Sequence, residues 1–149
     1  MKFECFHLGQ RFTTGSHTVT AEEIHNFAVL YDPQPFHLDR DFARRTSFGD
    51  IIAPGEMTLS IAWGLFARTN VLGEDSRGGI GLDEVRWTAP VYPGDTLTCE
   101  VSISALRRTS KGDKGVLTLD FDLRNQHGQT VLRFKSLSMA VTEQGAIRD

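Results

Sequence analysis

From Met57 to Phe66 the chain reads Met-Thr-Leu-Ser-Ile-Ala-Trp-Gly-Leu-Phe, which puts apolar side chains on nearly every face of a helix. A helix of that kind does not rest on a surface with one side in water; it must be wrapped by the rest of the fold. Glu56 in its first turn and Arg68 in its last suit the two ends of the helix dipole. The C-terminal half of the chain supplies the wrapping. Ile80 to Trp87, Thr96 to Leu106, Val116 to Leu123 and Val131 to Val141 have strand character. In the third run Leu117, Leu119, Phe121 and Leu123 alternate with Thr118, Asp120 and Asp122, a period of two with one buried face. Pro93-Gly94-Asp95 predicts a turn before the second run, and Asn125-Gln126-His127-Gly128 a hairpin between the last two. One buried helix succeeded by consecutive antiparallel strands predicts an α+β domain whose sheet curls around the helix. The 149 residues suffice for one such core and not for two, so residues 1–149 read as a single domain.

Upstream of the helix, His17-Thr18-Val19 reads as a brief strand, and Thr20-Ala21-Glu22-Glu23 is a capping box that opens a helix. Ile24, Phe27, Ala28 and Leu30 give that helix an apolar side, and Pro33 ends it by about Asp32. Asp39 can cap a second short helix, Arg40 to Arg45, with Phe42 and Ala43 facing inward, and Gly49 is the turn residue of the loop after it. Gly78-Gly79-Ile80-Gly81 looks superficially like a phosphate loop. It precedes a strand instead of opening a helix, so a turn is the expectation.

The chemistry-bearing stretch is Tyr31-Asp32-Pro33-Gln34-Pro35-Phe36-His37. Pro33 and Pro35 fix their own φ and push Asp32 and Gln34 toward extended conformations, which predicts a stiff, bent, non-helical backbone. Asp32 and His37, held on it, can orient a water and move its proton. Eighteen residues after His37 comes Gly55, at the mouth of the apolar helix, where free backbone N–H groups point outward and can receive negative charge.

Composition excludes several classes. With 16 basic and 19 acidic residues the formal charge is −3, so there is no cationic footprint for nucleic acid. The first residues lack the apolar run of a secretory signal, and the longest apolar stretch falls short of a membrane span, which predicts a cytoplasmic protein. Cys5 and Cys99 fit neither a metal-ligand spacing nor a disulfide framework and are expected reduced, with Cys99 an inert thiol in a strand. His7, His17, His25 and His127 have no ligand-like spacing with a third donor, so no metal is expected. Arg107, Arg108 and Lys111 form a small basic cluster that reads as a solvated rim, with a phosphate-binding role as the lesser reading.

Asp32-x-Gln34-Pro35-x-His37-x-Asp39, Ala43, Phe48-Gly49, Ile52-Ala53-x-Gly55 and Trp87-Thr88-Ala89-Pro90-Val91-Tyr92-Pro93-Gly94-Asp95 resemble, in order and spacing, the MaoC-like hydratase and dehydratase family. The likeness runs over nearly the whole chain. It implies a single hotdog fold, an antiparallel sheet wrapped around one long central helix, acting on acyl thioesters. It implies that Asp32 and His37 are the acid/base pair and that the Gly55 N–H polarises the thioester carbonyl. It further implies a homodimer or higher homo-oligomer with the site near the subunit interface, a coenzyme A or acyl-carrier thioester as substrate, and no cofactor beyond coenzyme A as part of that substrate.

The chain departs from the family pattern at Tyr31, Pro33 and Gln34, where members commonly read Gly-Asp-x-Asn-Pro-x-His. It departs again at Pro54, where histidine is common, at Glu56, where a large apolar residue is common, and at Trp63, where some members have serine near the catalytic carboxylate. Phe36, Pro54, Glu56 and Trp63 are therefore the expected substrate-binding positions. The reaction expected is reversible addition of water to a 2-enoyl thioester. The alternatives are a hotdog thioesterase, in which a carboxylate directs water at the carbonyl, and a non-catalytic thioester-binding protein.

Overall fold

The structure is a computed structural model and describes residues 1–146; residues 147–149, which the single-domain reading includes, lie outside the described residues. A 3-10 turn at Phe3–Cys5 leads into β1 (Arg11–Thr18), then α1 (Ala21–Tyr31), α2 (Pro35–Leu38), α3 (Arg40–Arg44) and the long α4 (Gly55–Arg68). A second 3-10 turn, Gly73–Asp75, precedes β2 (Ser76–Trp87), β3 (Thr96–Arg108), β4 (Lys114–Arg124), β5 (Thr130–Val141) and a last turn of helix, α5 (Glu143–Ala146). The five strands form one antiparallel sheet in the order β1-β3-β4-β5-β2, and α4 packs against β1 and β3. This is the α+β architecture expected, a sheet curled around a central helix.

Alternation sets the sheet's faces as the sequence predicts. Leu117, Leu119, Phe121 and Leu123 are buried while Thr118, Asp120 and Asp122 are half-buried on the other face. Phe66 of α4 meets Phe121 edge-on at 5.5 Å, and Phe121 stacks on Phe134 of β5 at 4.3 Å, so helix and sheet lock through aromatic contacts. The two turns fall where expected: Gly94 and Gly128 take positive φ between β2 and β3 and between β4 and β5.

Several local expectations change. The first strand is Arg11–Thr18, earlier and longer than His17–Val19, and a register shift between Thr13 and Ser16 hides its alternation from the sequence. Gly78, Gly79 and Gly81 are not a turn; they lie inside β2, where register shifts absorb them. Phe42 turns outward instead of in, with Arg45 over its ring at 5.9 Å, while Ala43 alone faces the core. The helix α4 is sheathed on the side of Met57, Thr58, Ala62, Leu65 and Phe66 but leaves Glu56, Ser60, Trp63 and Ala67 exposed, because one chain's sheet does not reach round to that stripe. Beside it β2 has one neighbour, β5, and is exposed along most of its length. Among the described residues no helix is long and apolar enough to cross a membrane.

Candidate active site

Asp32 closes α1: its amide still donates to Ala28 O at 2.9 Å, while its own backbone is already non-helical, as Pro33 requires. The next stretch is not the non-helical bend expected. Pro35 takes the first helical position and α2 forms one turn, Pro35 to Leu38, because proline's missing N–H would have been unpaired there anyway and its fixed φ suits a helix start. That turn carries His37 inward, to 3 % exposure.

Both ring nitrogens of His37 are engaged. Nδ1 lies 2.6 Å from Ile52 O, and Nε2 lies 3.1 Å from Asp32 Oδ2. A carbonyl can only accept, so Nδ1 carries the proton of this contact and Nε2 is the nitrogen turned to Asp32. The other oxygen of Asp32, Oδ1, accepts from Gln34 Nε2 at 2.6 Å, which fixes the carboxylate's plane. Nε2 and Oδ2 stand at ion-pair distance, on the side of the ring away from Ile52.

Gly55 is the first residue of α4 and Pro54 its N-cap. The Pro54 carbonyl takes the amides of Met57 and Thr58 at 3.0 and 3.2 Å. The Gly55 and Glu56 N–H groups make no hydrogen bond among the described residues. These are two of the orphan donors that every helix N-terminus exposes, at the positive end of the dipole. A cavity of about 480 Å³ joins them to the pair, lined by Asp32, His37, Phe36, Gly55, Glu56 and Trp87 among others.

The structure therefore brings Asp32, His37, Gly55, Phe36 and Glu56 together and leaves two expected residues out. Pro54 is buried and works through its carbonyl, as a cap. Trp63 faces a different cavity, of about 700 Å³, between α4 and β2, and packs on Phe66 and Phe121. Its place on the exposed stripe of α4, two turns beyond Gly55, carries it away from the pair. The basic cluster is remote as well. The cavity lining reaches Val91, ahead of β3, whereas Arg107 and Arg108 stand at the other end of that 13-residue strand. Arg108 is tied to Glu4 at 2.7 Å and lies over the Phe3 ring. Cys99 is buried, and burial pushes its thiol up to about 12.

Three residues lining the cavity are not among those the sequence singles out for a role: Ile52, Gln34 and Trp87. Gln34 is visible there as a departure from the family pattern, whereas nothing local to Trp87 or Ile52 tells which distant atom each will meet.

A family profile described as "MaoC like domain" matches residues 6–122, a span that contains every residue of this cavity. The chain belongs to the MaoC-like domain family. It is 33 % identical over 126 residues to an uncharacterized protein, YdeM, of Bacillus subtilis, covering 85 % of this chain and 89 % of that one. It is 36 % identical over 112 residues to the (R)-specific enoyl-CoA hydratase of Aeromonas caviae, covering 72 % and 76 %. Among solved structures, a MaoC-like dehydratase from Rhodospirillum rubrum superposes with a TM-score of 0.88 at 32 % identity, over 96 % of this chain and 98 % of that one. The (R)-hydratase from A. caviae superposes with a TM-score of 0.72 at 30 % identity, over 92 % and 96 %. This MaoC-like chain thus shares the hotdog fold of those two structures over more than nine-tenths of its length.

Proposed function

We propose that this protein adds water reversibly across the double bond of a 2-enoyl thioester of coenzyme A or of an acyl-carrier protein, giving the 3-hydroxyacyl thioester. One observation carries the reading: Asp32, whose Oδ2 lies 3.1 Å from His37 Nε2, shares the lining of one cavity with His37 and with Gly55, whose N–H makes no hydrogen bond among the described residues. Hydration needs a base for the attacking water, an acid for C2 and a donor for the enolate oxygen formed between the two steps. The pair takes a proton from water as its oxygen bonds to C3. The double-bond electrons move to the thioester oxygen, where the Gly55 N–H receives the charge. A proton from the pair then goes to C2, and the pair ends as it began. Phe36 and Glu56 flank the bound thioester in this reading. Dehydration uses the same groups in reverse.

The chain acts in this reading as a homodimer, with the site near the subunit boundary. The long edge strand β2, with Ile80, Leu82 and Trp87 exposed, supports such pairing.

The test monitors a crotonyl-type thioester by two signals at once. Loss of the enoyl absorbance without release of free thiol is the expected result. Thiol release keeping pace with it would identify a thioesterase. Binding without either signal, across short, medium and branched enoyl groups, would identify a non-catalytic binder.

A further inference from the structure

Trp87 ends β2 and lays its indole across the first turn of α4. Its Nε1–H donates to the Gly55 carbonyl at 2.9 Å, and the same oxygen accepts the Thr58 hydroxyl at 2.8 Å. A Cβ on Gly55 would lie 2.6 Å from Trp87 Cε2 and 2.8 Å from Nε1, nearer than packed atoms approach. The indole therefore occupies the space that any side chain at position 55 would need. Trp87 is 49 % exposed in the single chain. Its backbone is held independently: the next residue, Thr88, donates its amide to Val131 O at 3.0 Å and its hydroxyl to Thr130 O at 2.7 Å. A rigid strand end thus delivers an indole donor to one helix carbonyl.

We propose that the Glu56 N–H, beside the Gly55 N–H, is a second donor to the enolate oxygen and that Trp87 is its positioning residue. The inference rests on the hydratase reading and deepens it. The peptide between Gly55 and Glu56 is a rigid plane, with the Gly55 carbonyl at one end and the Glu56 N–H at the other. Two side-chain donors join the helix's own bonding at that carbonyl, so the Glu56 N–H is held in one direction, out of the helix N-terminus beside the Gly55 N–H. Hydrogen bonds to a carbonyl also polarise its peptide and strengthen the N–H as a donor. The indole covers one side of Gly55 and keeps that flank free of water. Donors fixed before the charge develops lower the barrier because none has to reorient during the reaction.

Two replacements remove the donor. Trp87→Phe keeps an aromatic ring over Gly55, and β-(3-benzothienyl)alanine at position 87 keeps the whole bicyclic shape with sulfur in place of N–H. For both, kcat on an enoyl thioester is expected to fall roughly three- to ten-fold, the worth of one such hydrogen bond, with KM changed by less than about two-fold. The pH profile of kcat stays as in the wild type, since the Asp32–His37 pair is untouched. The amide ¹⁵N resonance of Glu56 shifts in the ligand-free protein, a change that loss of packing at the strand end would not concentrate there. Gly55→Ala, severe in the wild-type background, becomes much milder when Trp87→Ala is added.

Wild-type kcat in the benzothienyl variant overturns the proposal. If the wild-type chain hydrates no enoyl thioester, the hydratase function itself fails. Where hydration holds, an unmoved Glu56 resonance on losing the indole N–H overturns this inference alone.

Discussion

His37 is anchored through Nδ1 to a backbone carbonyl at 2.6 Å, so replacing its other partner leaves the ring where it is. Asp32→Asn should therefore fold normally and yet lose roughly two to four orders of magnitude in kcat, as loss of a general acid/base group does, and His37→Ala should do the same. Circular dichroism beside the enoyl assay checks both halves; wild-type turnover in either variant would sink the pair. The five-residue spacing of Asp32 and His37 was legible because the two sit on one short segment. The helical turn between them was not, since proline forbids a helix interior but welcomes a helix start, and sequence rules alone do not say which applies. Trp87 lay beyond reach for another reason: its partner is 32 residues away, and no local rule links an indole to a particular glycine carbonyl.

α1 starts at a complete capping box: Glu23 N donates to Thr20 Oγ1 at 3.1 Å, and Thr20 N to Glu23 Oε1 at 2.9 Å. Thr20→Ala should cost about 1 kcal/mol in a denaturant titration, with kcat unchanged. That element was readable because its reciprocal bonds span four residues. A contrasting case is β4, where a Cβ on Gly115 would run into the Phe3 ring. Gly115→Ala must displace that ring, together with the Arg108 side chain above it, and should destabilise the fold by roughly 1–3 kcal/mol, as overpacking does. Thermal melts of Gly115→Ala and Phe3→Ala, singly and combined, would show it: once the ring is gone, the glycine substitution should cost little. The stretches that misled are those with glycine in a strand. Gly15 in β1 and Gly78, Gly79 and Gly81 in β2 interrupt alternation, and interrupted alternation resembles a turn until neighbouring strands supply the pairing.

Across the whole molecule, charges on the outer sheet set the response to acid. Burial pushes the Asp122 carboxyl up, but hydrogen bonds from Arg124 and Thr130 and the charges of Arg124 and Arg133 together hold it below its ordinary value. A carboxyl lowered on folding contributes fully above its unfolded value, near pH 4, and that contribution is lost as pH falls through the folded one. Melting temperature should therefore decline below about pH 4, and Asp122→Asn should flatten that decline; an unaltered acid limb would contradict the assignment. The exposed stripe of α4 and the open edge of β2 lead to an expectation for assembly. Light scattering should give twice the chain mass of 16.6 kDa, and Leu82→Glu, a charge on the exposed edge, should shift the population toward one chain. From sequence alone came the fold class, the central helix, the capping box, the two tight turns and the placement of Asp32, His37 and Gly55 on one short span. All of these rest on periodicity, on backbone chemistry or on side chains near one another along the chain, so local physics suffices for them. Tertiary structure alone decided that Ile52 takes Nδ1 of His37, that Trp63 faces away from the pair and that Trp87 grips Gly55. Each of these joins segments that only the folded sheet and helix bring together, and no short-range preference encodes such a meeting.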